Sequence, residues 1–103
     1  MDWAEAAIGF SAMGSEARLL ILRTLVRAGE DGLTVAQVQD RTGIAPSTLT
    51  HHLKLMTAAG LILQDRQGRT ITSHPALTHL QALATFITDE CCADQARKAA
   101  NDG

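Results

Sequence analysis

From Trp3 the apolar positions Ala6, Ala7, Phe10 and Met13 recur at helical spacing, which predicts an amphipathic helix stopping at Gly14. Ser15 can cap a second helix that runs to about Ala28, with Leu19, Leu22 and Val26 on one ridge and Ile21 and Leu25 beside it. Arg23 and Arg27 then face water one turn apart, and Gly29 is the stop. Thr34 and Gln37 have capping-box spacing, so a short third helix begins at Thr34 and ends before Gly43. A fourth starts around Pro46, with Ile44 and Leu49 spaced as a hydrophobic staple, and ends at Gly60. Its core side carries Leu49, Leu53, Met56 and Ala59. Its outer side carries Ser47, Thr48, Thr50, His51, Lys54 and Ala58.

After Gly60 the periodicity changes. Leu61-Ile62-Leu63-Gln64 and the β-branched Thr70-Ile71-Thr72 flank Asp65-Arg66-Gln67-Gly68-Arg69, which predicts a small hairpin with Gly68 in the turn and two arginines near its tip. Pro75 marks the start of a fifth helix whose stripe is Leu77, Leu80, Leu83, Ala84 and Ile87. The pattern is mainly α with a small β-hairpin: four helices, two strands and a fifth helix. Residues 1–92 read as one unit, and 93–103 as a tail that either extends the last helix or frays.

At 103 residues and 46% hydrophobic, the chain suits one domain and is too short for two. Its longest apolar runs fall far short of the roughly 20 residues that cross a bilayer, and the N-terminus lacks the basic and apolar regions of a secretory signal. The expectation is a cytoplasmic protein, with no membrane partner and its two cysteines reduced. An aromatic content of 3% without tyrosine argues against a stacking platform for single-stranded bases. The net charge of −2 conceals a division: residues 1–40 carry −3, residues 41–79 carry +3 together with all four histidines, and residues 80–103 carry −2. Local positive charge, not a basic average, is what phosphate contacts require.

Two short helices joined at Gly43, followed by a hairpin, constitute a winged helix-turn-helix. Ser47, Thr48, Thr50 and His51 are short enough to let their helix lie deep in a major groove of double-stranded DNA, where hydroxyl or imidazole groups reach base edges or phosphates. Lys54 would meet a phosphate. Arg66 and Arg69 would reach the flanking minor groove or backbone. The competing readings are a solvated helix face beside a wing that only packs, and a winged-helix module that docks on protein. An enzyme ranks behind DNA binding and is not expected: there is no Cys-x-x-Cys loop, no phosphate-cradling glycine loop and no His-Glu-x-x-His helix.

The stretches Gly14-Ser15-Glu16-Ala17-Arg18-Leu19-Leu20-Ile21-Leu22, Thr42-Gly43-Ile44-Ala45-Pro46-Ser47-Thr48-Leu49-Thr50-His51-His52-Leu53-Lys54-Leu55, Ala58-Ala59-Gly60-Leu61-Ile62 and Arg66-Gln67-Gly68-Arg69 together resemble the ArsR/SmtB type of bacterial metal- and metalloid-responsive repressors. The resemblance implies a homodimer joined mainly through the first and fifth helices, seated on operator DNA and released by an effector. It assigns DNA contacts to Ser47, Thr48, Thr50, His51, Lys54 and the wing arginines. No cofactor is implied for DNA binding itself.

The effector is a separate question. Where arsenic-responsive members similar to the family prototype carry a Cys-Val-Cys box, this chain has Thr34-Val35-Ala36, and His74, His79, Asp89 and Glu90 do not reproduce the family's zinc spacing. Cys91 and Cys92, the only cysteines, remain. Adjacent thiols can chelate soft trivalent arsenic or antimony, as arsenite, methylarsenite or antimonite, and some arsenic-responsive members look similar here. Successive residues on an ideal helix diverge by about 100°, so joint ligation requires the helix to end or distort. Two alternatives stand beside this: a redox or persulfide switch at the same thiols, or Cys91 as a small hydrophobe that continues the Ile87 stripe and is buried at the dimer interface, with Cys92 an incidental free thiol.

Overall fold

The computed structural model describes residues 1–95. Helix α1 (Trp3–Met13) begins where Asp2 Oδ1 accepts from the Glu5 amide at 2.7 Å, and α2 (Glu16–Ala28) where Ser15 Oγ accepts from the Arg18 amide at 3.2 Å. A two-residue strand, β1 (Leu33–Thr34), leads into α3 (Val35–Thr42). Both bonds of the expected capping box are made: Thr34 Oγ1 accepts from the Gln37 amide at 3.2 Å, and Gln37 Oε1 from the Thr34 amide at 2.9 Å. Gly43 closes α3 in the left-handed region, at φ 73°, and turns the chain into α4 (Pro46–Ala58). The hairpin β2 (Ile62–Gln67) and β3 (Thr70–Pro75) precedes α5 (Leu77–Thr88).

The expected winged helix-turn-helix is therefore present, with one strand more than the sequence suggested. β1 pairs with β3, placing Leu33 opposite Ser73, and the sheet order is β1-β3-β2. Gly32 allows this approach: at φ 76°, a Cβ there would stand 2.5 Å from the Ser73 carbonyl oxygen. The hairpin is also longer than expected. Asp65, Arg66 and Gln67, read as loop, belong to β2, and only Gly68 and Arg69 make the turn between Gln67 and its partner Thr70. Pro75 ends β3 instead of opening the last helix, because it still pairs with Ile62.

The core gathers Ile21, Leu25, Val38, Leu49, Leu53, Met56, Leu61, Ile62 and Leu83, all essentially sealed from water. Burying each of these aliphatic side chains contributes about 1.5–3 kcal/mol. Two ridge positions predicted on α2 are not in it: Leu19 and Val26 are 45% and 43% exposed, since α2 turns Ile21, Leu22 and Leu25 inward instead. Leu77 and Ile87 of the α5 stripe are likewise exposed, while Leu83 is buried and Leu80 and Phe86 pack on the core. α1 and α5 lie close together. Gly9 faces Leu83, and the Trp3 and Phe86 rings meet edge to face at 5.1 Å.

Among the described residues no helix is long and apolar enough to cross a membrane. Of the expected tail, residues 93–95 are helical. Residues 96–103 lie outside the described part of the chain.

Candidate functional site

Helix α4 has two chemically distinct sides. Leu49, Leu53 and Met56 point into the core, which fixes the rotation of the helix and leaves Ser47, Thr48, Thr50, His51 and Lys54 exposed together. Among the described residues, the side chains of Ser47, Thr48, Thr50 and Lys54 spend no hydrogen bond or ion pair within the protein. Ala45 supplies no side-chain cap, so the first amides of α4 are open as well. Arg66 is exposed on β2 opposite Ile71, and Arg69 is exposed in the turn.

The positive character of residues 41–79 survives folding. Asp65 is the one acid of that stretch, and it is engaged by His74, whose Nε2 stands 2.8 Å from Asp65 Oδ2. The same ring reaches the Glu30 carbonyl through Nδ1 at 2.7 Å, pinning the loop after α2 to the base of the wing. Lys54, Arg66 and Arg69 have no carboxylate partner among the described residues.

His52 is turned away from this row. It is half-buried, with Nδ1 3.5 Å from Nη1 of Arg18, while Arg18 Nε donates to the Ala12 carbonyl. Burial lowers the His52 pKa below its ordinary 6.5, and the neighbouring Arg18 and His51 charges lower it further. Helical spacing on α4 carries no signal for this contact, because Arg18 lies 34 residues away.

At the other end of the chain, α5 stops at Thr88, three residues before the cysteines. Cys92 takes φ 65°, a left-handed conformation uncommon for a non-glycine residue. This break brings the two sulfurs to 3.0 Å, both exposed and neither in a disulfide. In the single chain Cys91 is exposed and is not packed into that chain's own core. The hydrogen bond with Cys91, and then desolvation, raise the Cys92 pKa, so this residue is held as a thiol.

His79 Nδ1 lies 3.9 Å from Glu5 Oε1, and with His74 and Asp65 it lines a groove of about 820 Å³ between the starts of α1 and α5 and the base of the wing. Among the described residues, no group of three or more His, Cys, Asp or Glu side chains is arranged to hold a metal ion.

Comparison with known proteins gives the same architecture a family. Residues 13–65 match the model of a helix-turn-helix domain. The chain is 35% identical over 92 residues to the nodulation protein NolR of Rhizobium meliloti, an alignment covering 84% of this chain and 73% of NolR. An ArsR-like transcriptional regulator from Rhodococcus sp. RHA1 superposes with a TM-score of 0.76 at 25% identity, over 96% of this chain and 90% of that one. The homodimeric winged helix-turn-helix DNA-binding domain of a possible ArsR-family regulator from Mycobacterium bovis does so with a TM-score of 0.66 at 25% identity, over 85% and 82%. The chain belongs to the winged helix-turn-helix transcriptional regulators of the ArsR/SmtB type, which are DNA-binding proteins and not enzymes.

Proposed function

We propose that this chain is a homodimeric repressor that binds operator DNA in its effector-free form and releases it when Cys91 and Cys92 capture trivalent arsenic or antimony. The observation that carries the DNA reading is the unpartnered row on α4. Ser47, Thr48, Thr50 and His51 enter the major groove, Lys54 meets a phosphate, and Arg66 and Arg69 contact the flanking backbone or minor groove. Trp3, Ile8 and Ile87 leave α1 and α5 with exposed apolar surface, at 82%, 57% and 67%, which supports joining two copies through these helices. The Mycobacterium bovis domain is itself homodimeric.

The effector reading is supported by the break after α5, which lets two neighbouring sulfurs face one ligand. Methylarsenite, CH₃As(OH)₂, needs just two thiols: two As–O bonds break, two As–S bonds form, and both hydroxyls leave as water with the thiol protons. Arsenite and antimonite keep a third position, filled by hydroxide, a small thiol or a residue of the partner subunit. Capture shifts the end of α5 and thereby the spacing of the two α4 helices, with a coupling of about 1–3 kcal/mol. The same proximity of sulfurs supports a second reading, oxidation or persulfidation of the pair.

The test is a fluorescence-anisotropy titration of a labelled duplex from the region upstream of the chain's own gene. Arsenite, methylarsenite, antimonite, zinc and a persulfide donor are then added to the preformed complex. Cys91→Ser and Cys92→Ser retain DNA affinity and lose release by arsenicals. Full release from the double variant overturns the effector assignment, and release by the persulfide donor alone selects the second reading. Equal binding of this duplex and an arbitrary one at moderate salt overturns the operator assignment, leaving the protein-docking module.

A further inference from the structure

The turn from α1 into α2 meets the middle of α4 at one guanidinium. Arg18, in the first turn of α2, donates from Nε to the Ala12 carbonyl near the end of α1 and presents Nη1 to His52 Nδ1 of α4 at 3.5 Å. The last turn of α1 has no basic residue of its own, so Arg18 supplies the cation its open carbonyls favour. A groove of about 480 Å³, lined by Ile8, Ser11 and Ala12 from α1 and by Leu55 and Ala58 from α4, lies between these helices, and Arg18 is part of its lining.

From this geometry we infer that Arg18 is a positioning residue for DNA binding, holding α4 through His52 at a fixed orientation to α1. The inference rests on the reading of α4 as the DNA-contacting helix, and of α1 as part of the dimer contact. Two copies of α4 must match successive grooves of one duplex. A link from α1 to α4 carries the geometry of the paired subunits to the reading surface.

The link has a chemical condition. Arginine only donates, so His52 Nδ1 must offer a lone pair and the ring proton sits on Nε2. A second proton would place N–H against N–H and cation against cation. The charged and titratable groups acting on His52 are Arg18 from α2 and His51 from α4, while α1 brings the Ala12 carbonyl to Arg18. The His52 pKa is depressed in the folded chain, so the link is complete above the ordinary 6.5 and is lost as pH falls through the lower folded value.

His51 faces the proposed DNA side and would touch the duplex itself, so the test uses a His51→Gln background. Binding to the duplex described above is measured at pH 8 and pH 5.5. The background protein loses affinity on acidification. Arg18→Met lowers affinity at pH 8 by about tenfold and flattens the pH profile. His52→Gln, whose amide oxygen can still accept from Arg18, keeps affinity at pH 8 and no longer loses it at pH 5.5. Should Arg18→Met fail to fold by circular dichroism, His52→Leu is read instead and must show the same loss and the same flat profile. Unchanged affinity and pH profile in a folded Arg18→Met, or imidazole ¹⁵N shifts placing the His52 proton on Nδ1 in the free protein, overturn the inference. If the background protein does not prefer the duplex, the DNA reading itself has failed; the ¹⁵N shifts and their change in Arg18→Met still decide whether the link exists.

Discussion

Helices α2 and α4 are each thirteen residues long and each buries three side chains, Ile21, Leu22 and Leu25 in one and Leu49, Leu53 and Met56 in the other. Their inward faces are alike in kind; their outward faces are not. α2 offers water Leu19, Leu20 and Val26 among Arg23 and Arg27, whereas α4 offers hydroxyls, an imidazole and one lysine, with Leu55 its exposed large aliphatic side chain. Burial identifies the side that folds. The length and hydrogen-bonding capacity of the other side determine what it can touch, because short polar groups let a helix lie deep in the groove with donors and acceptors at the base edges. The helix starts differ too: α2 is capped by Ser15, and α4 begins at Ala45 without a side-chain cap.

The largest effects are expected where the helices agree. Leu25→Ala and Leu53→Ala each cost about 2–5 kcal/mol in urea denaturation, and a near-neutral result at either site would break the equivalence of the inward faces. Capping should separate them next: Ser15→Ala lowers stability by about 1 kcal/mol, while Ala45→Ser raises it by a few tenths to about 1 kcal/mol in the same assay. In DNA titrations at graded salt, Lys54→Ala reduces the salt slope by about 1, and Arg27→Ala on α2 leaves it unchanged. A reduced slope for Arg27→Ala instead would move the interface to α2. The smallest stability effects belong to the outward faces: Leu20→Ser and Thr48→Ala each stay within about 0.5 kcal/mol, yet only Thr48→Ala weakens binding to the duplex.

Much of this was legible without coordinates. Gly14, Gly29, Gly43 and Gly60 mark where the first four helices stop, and the Thr34–Gln37 box and Pro46 mark where two of them start, since these signals act over three or four residues. The row on α4 was legible for the same reason: once Leu49, Leu53 and Met56 are inside, helical geometry turns Ser47, Thr48, Thr50, His51 and Lys54 outward. β1 was not legible, because its two residues become a strand only by pairing with Thr72 and Ser73, about forty positions later. Asp65 to Gln67 looked like loop because their polar side chains hide a backbone ladder that exists only against β3.

What the sequence determined by itself was local: helix boundaries, the inward face of α4, the positive middle stretch and the presence of two adjacent thiols. Tertiary structure decided which ridge of α2 is buried, that Asp65 is engaged by His74, and that Arg18 joins α1 to His52. It also decided that the chain leaves helical geometry before Cys91 and Cys92, so that sulfurs a continuous helix would hold apart converge. The physical reason is one of range: caps and periodicity are satisfied within a turn or two, whereas these contacts depend on where the packed core carries groups distant in sequence.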